Sequence, residues 1–328
     1  MLKNKSEQSN FKSQEQSRLI NKKIILVGSP NTGKSLLFNA LTGAYTTVSN
    51  YPGTTVEVSR GKTLIGNEVF EVLDTPGMYS LNPITEEEEI SRQIIMKKEY
   101  SVLIHVVDAK NIDRMLPFTL HLIESKLPVI LVLNMMDEAN KKGISVNSDI
   151  LEDYLGIPVV KTVAVSGEGV TNLKNKITYL CNEEKKLIDK IFFNYNIDIE
   201  YSISEIASLI DDNVLSKRTL AILLLQGDQK IKNLIEPLLE KNVVKSINSI
   251  IQKTTDSFDD PLRYVMAIEE QNSINTIISN AVTVISNKNS ISFSDRISRV
   301  MTRPFTGVPV LLLVTYFGLY QLVGVFGA

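Results

Sequence analysis

The stretch Lys23-Ile-Ile-Leu-Val27 runs directly into Gly28-Ser-Pro-Asn-Thr-Gly-Lys-Ser35, and Leu36-Leu-Phe-Asn-Ala-Leu41 follows. An apolar run of strand length, a loop of the form G-x-x-x-x-G-K-[ST] and a helical apolar pattern stand in the order that a phosphate-binding loop requires. The glycines let backbone N–H groups converge on phosphate oxygens, and the start of the next helix adds partial positive charge. Lys34 is then expected on the β- and γ-phosphates and the Ser35 hydroxyl on Mg2+. Gly28, Ser29, Pro30, Asn31, Thr32, Gly33, Lys34 and Ser35 are therefore the first candidate nucleotide contacts.

Further apolar runs follow at Val69–Leu73, Ser101–Val107, Pro128–Leu133 and Pro158–Val165, most of them separated by helix-length segments. That alternation predicts repeated βαβ units and a largely parallel sheet, an α/β fold. Between the first two runs, 54–62 and 63–69 suggest an antiparallel edge pair around Gly66-Asn67. Three of the strand ends carry further candidates. Asp74-Thr75-Pro76-Gly77 offers a carboxylate for water-mediated Mg2+ and a glycine N–H for the γ-phosphate. Asn134-Met135-Met136-Asp137 offers an acceptor-only carboxylate for the N1 and N2 amino edge of guanine, which adenine lacks, with Asn134 bracing neighbouring loops. Val163, Ala164 and Val165 end the last run, where backbone amides are expected at the guanine O6. Gly53, Thr54 and Thr55 lie in the Asn50-Tyr-Pro-Gly53 loop, where a threonine holds Mg2+ and γ-phosphate only while the triphosphate is present. The two adjacent threonines leave the choice between them open.

Residues 183–290 change character. Gly and Pro become rare, and apolar residues recur at three- and four-residue spacing: Ile203, Ile206, Leu209 and Ile210; then Leu220, Leu223 and Leu224 with Gly227 as a stop; then Leu234, Ile235, Leu238 and Leu239. This predicts a helical module. Residues 304–328 carry no formal charge over a length that suits a bilayer span, and Arg296, Arg299 and Arg303 precede them in 291–303 against Asp295 alone. The basic bias places 1–303 in the cytoplasm. The chain stops directly after this segment, so it is expected to be the front end of a longer membrane protein. Residues 1–20 are polar and read as a mobile tail.

An apolar fraction of 43% against 22% charged residues rules out a wholly disordered chain. Lys plus Arg is 35 and Asp plus Glu 37, so no dense basic face for nucleic acid is expected. One cysteine, Cys181, excludes a disulfide framework and a Cys-rich metal site. His105, in an apolar strand, and His121, in a helix, read as structural; Thr85-Glu-Glu-Glu-Glu89 reads as a helix cap with Glu88 completing a capping box.

These motifs together resemble the GTPase superfamily with five G motifs, and most of all the FeoB family of bacterial ferrous-iron transporters. The resemblance spans about 22–328 and rests on GSPNTGKS, NYPGTTVE, DTPGMYSL, VVDA, LNMMDEA, KKGI and the basic stretch leading into RPFTGVPVLLLV. It implies a Ras-like P-loop GTPase domain over 21–182, a small all-α GDI-like domain over 183–290, a juxtamembrane linker over 291–303 and a transmembrane helix over 304–328, the first of a membrane domain that carries Fe2+. It implies residence in the bacterial cytoplasmic membrane, GTP and GDP as substrate and product, and membrane lipid, small cytoplasmic accessory proteins and further copies of the chain as partners. It also makes Thr55 the switch threonine, 45–57 switch I and 74 to about 92 switch II.

Ras-like enzymes place a glutamine after the switch II glycine to orient water. Here that residue is Met78, whose thioether cannot do so. The resemblance instead points to Asn31 as holder of a K+ ion that neutralises charge between the β- and γ-phosphates. Lys34, Asn31, Thr55 and Gly77 are the expected catalytic set; Ser35, Thr55 and Asp74 the Mg2+ set. Two residues depart from the family pattern. Ser29 replaces a common asparagine, with little consequence, and Val163-Ala164 replaces a Ser-Ala pair, implying modest guanine affinity and fast exchange. The competing expectation is a membrane-tethered regulatory GTPase without transport; the two differ in whether further spans follow Ala328.

Overall fold

The computed structural model describes residues 22–43, 46–182, 190–211, 215–284, 297 and 300–321. The predicted tail, 1–20, and most of the predicted linker, 291–303, lie outside these residues.

The first unit runs to Thr283. Its elements are β1 (Lys22–Val27), α1 (Lys34–Thr42), β2 (Thr46–Asn50), β3 (Glu57–Ile65), β4 (Glu68–Asp74), α2 (Glu86–Lys97), β5 (Val102–Asp108), α3 (Ile112–Glu124), β6 (Val129–Asn134), α4 (Met136–Lys141), β7 (Ile144–Val146), α5 (Ser148–Leu155), β8 (Val159–Lys161) and α6 (Val170–Asn182). Then come α7 (Ile197–Leu209), α8 (Lys217–Leu225), α9 (Gln229–Ile235), α10 (Lys241–Asp256) and α11 (Leu262–Ala281). Seven strands form one sheet in the order β2-β3-β4-β1-β5-β6-β8. β4, β1, β5, β6 and β8 run parallel. Their buried apolar runs cover both faces, as crossover helices require. Two apolar layers result, one around Leu37, Phe38 and Leu173 under α1 and α6, the other around Leu116, Leu120 and Leu155.

The antiparallel edge differs from expectation. The turn does fall at Gly66-Asn67, but 57–65 is one strand rather than two, and its partner is β4 itself. Further out, β2 pairs with 57–61, inside the stretch read as a switch I loop. β2 is exposed along its whole length, so it lacks the buried alternation by which a strand announces itself. The last parallel strand is also shorter than 158–165. It ends at Lys161, because Val163 turns back to pair with Glu168.

The helical stretch bears out two of the three apolar stripes. Ile203 and Ile206 are buried on α7, and Leu220, Leu223 and Leu224 on α8. The third is not a continuous helix face: α9 ends at Ile235 and a 3-10 turn takes over. Pro237 has no N–H to continue the α-helical ladder, and Leu234 and Leu238 remain exposed.

The second unit comprises α12 (Pro304–Thr315), continued as a π-helix over Tyr316–Gln321. Its apolar side chains Phe305, Leu311, Leu312 and Leu313 are exposed. Among the described residues no helix is long and apolar enough to cross a membrane. The end of the predicted span, 322–328, lies outside them.

Candidate nucleotide site

Four loops converge at the C-terminal ends of the parallel strands. They enclose a cleft of about 620 Å3 lined by Pro30, Asn31, Lys34, Ser35, Asp74 and Gly77, among others. The phosphate loop is fixed from within by Thr32, whose hydroxyl donates to the Ser29 carbonyl at 3.0 Å. Gly33 has φ +80°, and a Cβ there would stand 2.3 Å from the Asn134 side-chain nitrogen. Only glycine meets both conditions.

Asp74 ties the loops together. One of its oxygens takes the Lys34 ammonium in a buried ion pair, and the other accepts from the Ser35 hydroxyl at 2.7 Å. Lys34 also donates to the Thr75 carbonyl. The lysine therefore already has an anionic partner, and reaching phosphates requires it to exchange partners. A hydroxyl and a carboxylate oxygen side by side are hard donors of the kind Mg2+ takes alongside substrate phosphates, so the residues present fit that ion. The Thr75 hydroxyl donates to the Leu26 carbonyl at 2.8 Å, and the Met78 amide donates to the Gly28 carbonyl at 3.0 Å. Gly77 lies against Pro30: a Cβ would come within 2.7 Å of the proline ring. Met78 is fully buried and faces away from the cleft, toward the core.

Asn31 adopts φ +63° at the cleft wall, and its side-chain amide makes no hydrogen bond among the described residues. A free amide oxygen there suits a monovalent cation. The two threonines of the switch I loop separate clearly. Thr54 is spent on its own turn, its hydroxyl donating to the Tyr51 carbonyl at 2.9 Å. Thr55 is exposed and uncommitted, and it does not line the cleft in this arrangement.

At the base-binding end Asn134 is a hub. Its amide donates to the Thr32 carbonyl at 2.8 Å, and its oxygen accepts from the Thr162 hydroxyl at 3.1 Å and the Ala164 amide at 3.0 Å. It joins the phosphate loop to the final loop, as expected of it. Met135 stands before α4 with φ +60° and lines the cleft. Asp137 projects from the first turn of α4, partly exposed, with Lys141 at 3.6 Å. In this arrangement the Val163 amide donates to the Glu168 carbonyl at 3.1 Å and the Ala164 amide to the Asn134 side-chain oxygen, so a base would have to take over these donors. Val165, 83% exposed, is the remaining member.

Two groups went unrecognised in the sequence. Glu57 and Ser59 also line the cleft. The other is a bridge from switch II to the helical module. Ser91 of α2 donates to the Pro76 carbonyl at 2.8 Å, and the adjacent Arg92 pairs with Asp228, both side chains buried. Arg92 also holds Glu89 at 2.7 Å, and Asp228 caps α9 through the Lys230 and Ile231 amides. The residues 85–89 do cap α2: Thr85 and Glu88 exchange hydrogen bonds, and Glu88 further holds the Ile84 amide at 2.7 Å. His105 meets Thr119 at 2.9 Å, and His121 meets Glu270 at 3.2 Å.

Phosphate loop, DTPG loop and guanine-type NxxD loop on this sheet define a P-loop GTPase domain. Comparison with known proteins refines that class. The family model for ferrous iron transport protein B matches 22–177, and that for the FeoB cytosolic helical domain matches 195–283. The chain belongs to the FeoB family. It is 30% identical over 312 residues to the Fe(2+) transporter FeoB of Escherichia coli K12, covering 92% of this chain and 39% of that protein. A Porphyromonas gingivalis Fe(2+) transport protein A/FeoB fusion is 30% identical over 308 residues, 90% of this chain and 36% of that one. An S. thermophilus NFeoB mutant bound to GDP matches with TM-score 0.71 and 31% identity, covering 80% of this chain and all of that one. The T. maritima FeoB cytosolic domain in apo form matches with TM-score 0.68 and 28% identity over 80% of this chain and all of that one. The chain spans about two-fifths of the length of the curated relatives it matches.

Proposed function

We propose that the cleft binds and hydrolyses GTP, and that its nucleotide state governs Fe2+ passage through a membrane domain of a longer transporter. The convergence of Lys34, Ser35 and Asp74 in one bonded cluster beside the Asn134 hub carries the nucleotide reading. Lys34 and the backbone N–H groups of the 28–35 loop, of which Pro30 has none, bind the β- and γ-phosphates. Ser35 and Asp74, with Thr55 once the loop closes, would hold Mg2+, which supplies charge neutralisation on those phosphates. Asn31 would hold K+, which supplies further positive charge between them. Gly77 presents its N–H to the γ-phosphate, and Asp137 selects guanine. Met78, the residue directly after the switch II glycine, is buried and has no group to orient the water, which leaves the cations to supply the rate.

The route out of the site favours a coupling role. Pro76 is bonded to Ser91, Arg92 is its neighbour, and Arg92 grips the cap of α9. A displacement of the DTPG loop therefore reaches the helical module through a buried charge pair. The uncharged stretch 304–328 and its basic flank support anchoring in a membrane, with lipid as partner. The test is GTP hydrolysis in potassium, sodium and cation-free buffer, with Asn31→Ala alongside. Potassium stimulation lost in the variant supports the reading; equal rates in potassium and sodium refute the cation role.

A further inference from the structure

Glu57 and Ser59 stand where the edge of the sheet meets the metal side of the cleft. The odd-numbered residues of β3 face α1. At the far end Thr63 donates to the Leu41 carbonyl at 2.6 Å, and a Cβ on Gly61 would meet Thr42 at 2.7 Å. Following the same face back along the strand passes Ser59 and then Glu57, beside the start of α1 where Ser35 sits. Ser59 is the direct cross-strand partner of Asp74, and directly opposed residues share a face. Both Glu57 and Ser59 line the cleft together with Ser35 and Asp74.

The charges make this placement informative. The Lys34 ammonium is matched by Asp74. The Glu57 side chain has no ion pair or hydrogen bond among the described residues and is exposed at the cleft, so this wall carries an uncompensated carboxylate. A carboxylate beside a polyphosphate is repulsive unless a cation stands between them. Mg2+ keeps several of its waters and is held through one or two carboxylates plus phosphates, so a second acid at one water's remove is compatible with its shell.

We infer that Glu57, supported by Ser59, is a positioning residue for the Mg2+–nucleotide complex: it accepts hydrogen bonds from metal-bound water and penalises nucleotide that arrives without the ion. This rests on the reading of the cleft as a GTP site. It makes Glu57 the group by which the site demands a divalent cation, a role distinct from that of Ser35 and Asp74.

The test uses the full chain with Glu57→Gln and, as control, Glu68→Gln, which removes a carboxylate at the other end of the β3–β4 pair, where it bonds Lys22. Fluorescent GDP and GTP are titrated at fixed concentration against Mg2+ and, separately, in EDTA; free Mn2+ is followed by electron paramagnetic resonance. Outer-shell partners of metals are typically worth about tenfold or more in metal affinity. Glu57→Gln should therefore raise the Mg2+ and Mn2+ midpoints about tenfold while strengthening nucleotide binding in EDTA, and Glu68→Gln should do neither. Unchanged midpoints in Glu57→Gln, or a change in potassium dependence in their place, overturn the inference. A parent chain that binds neither nucleotide overturns the GTP reading itself.

Discussion

Replacing Asp228 by asparagine keeps the shape and the cap but deletes the charge that Arg92 faces. The Asp228 oxygen that takes the Lys230 and Ile231 amides, each at 3.0 Å, has an amide counterpart in asparagine. Arg92 is 1% exposed and Asp228 6%, so the guanidinium cannot turn to water. Breaking a buried pair from one side typically costs about 3–5 kcal/mol. Glu89 remains at 2.7 Å as a second acceptor, which places Asp228→Asn at the low end, about 3 kcal/mol. Asp228→Ala adds the lost cap, about 1 kcal/mol more. Replacing Arg92 and Asp228 together by methionine and leucine removes the stranded charge and should recover much of the loss. Urea unfolding of all four proteins gives these differences, and GDP dissociation rates measured alongside report whether the DTPG loop feels the change. An Asp228→Asn variant within about 1 kcal/mol of the parent would refute the claim that this pair joins switch II to the helical module.

Other outcomes follow from the same geometry. Asn134→Ala strands the Thr32 carbonyl, the Thr162 hydroxyl and the Ala164 amide. It should cost about 3 kcal/mol in thermal or urea unfolding and weaken GDP binding, measured by calorimetry. Asp137→Asn places an amide donor against the amino edge of guanine, so GDP affinity should fall and xanthosine diphosphate affinity rise in competition titrations. The His121–Glu270 pair gives stability a pH dependence. Burial alone would lower His121, but the Glu270 charge and hydrogen bond, with Glu124 behind them, hold it above its ordinary value. Burial alone would raise Glu270; the His121 charge and the hydrogen bonds from His121, Tyr195 and Gln226 hold it below. The histidine contribution is complete below its unfolded value near 6.5 and is lost as pH rises through the folded value, whereas that of Glu270 is lost as pH falls through its own. As pH rises from about 6.5 through the raised folded value, the parent should therefore lose stability relative to His121→Gln, as read by urea midpoints.

What was legible in the sequence was local in the chain. The phosphate loop, Asp74–Gly77 and Asn134–Asp137 are short runs at the ends of apolar strands, and the strands order themselves by burial. What stayed hidden depended on long-range placement. β2 carries no buried residue, so its pairing is decided by the neighbouring strand and not by its own pattern. Glu57 and Ser59 look like solvated strand residues until the register sets them opposite Asp74. Arg92 and Asp228 are 136 residues apart, and each reads locally as an ordinary helix residue or cap. The commitment of the Ala164 amide to Asn134 likewise needs two loops placed side by side. Of the two threonines, only hydrogen bonding separates Thr54, which closes its own turn, from Thr55.

The most direct test of the account is calorimetric titration of the chain with GDP, GTP and ATP in the presence of Mg2+. The arrangement of Lys34, Asp74, Asn134 and Asp137 predicts that both guanine nucleotides bind and that ATP does not compete. Heat from ATP equal to that from GTP, or no heat from any of the three, would contradict it.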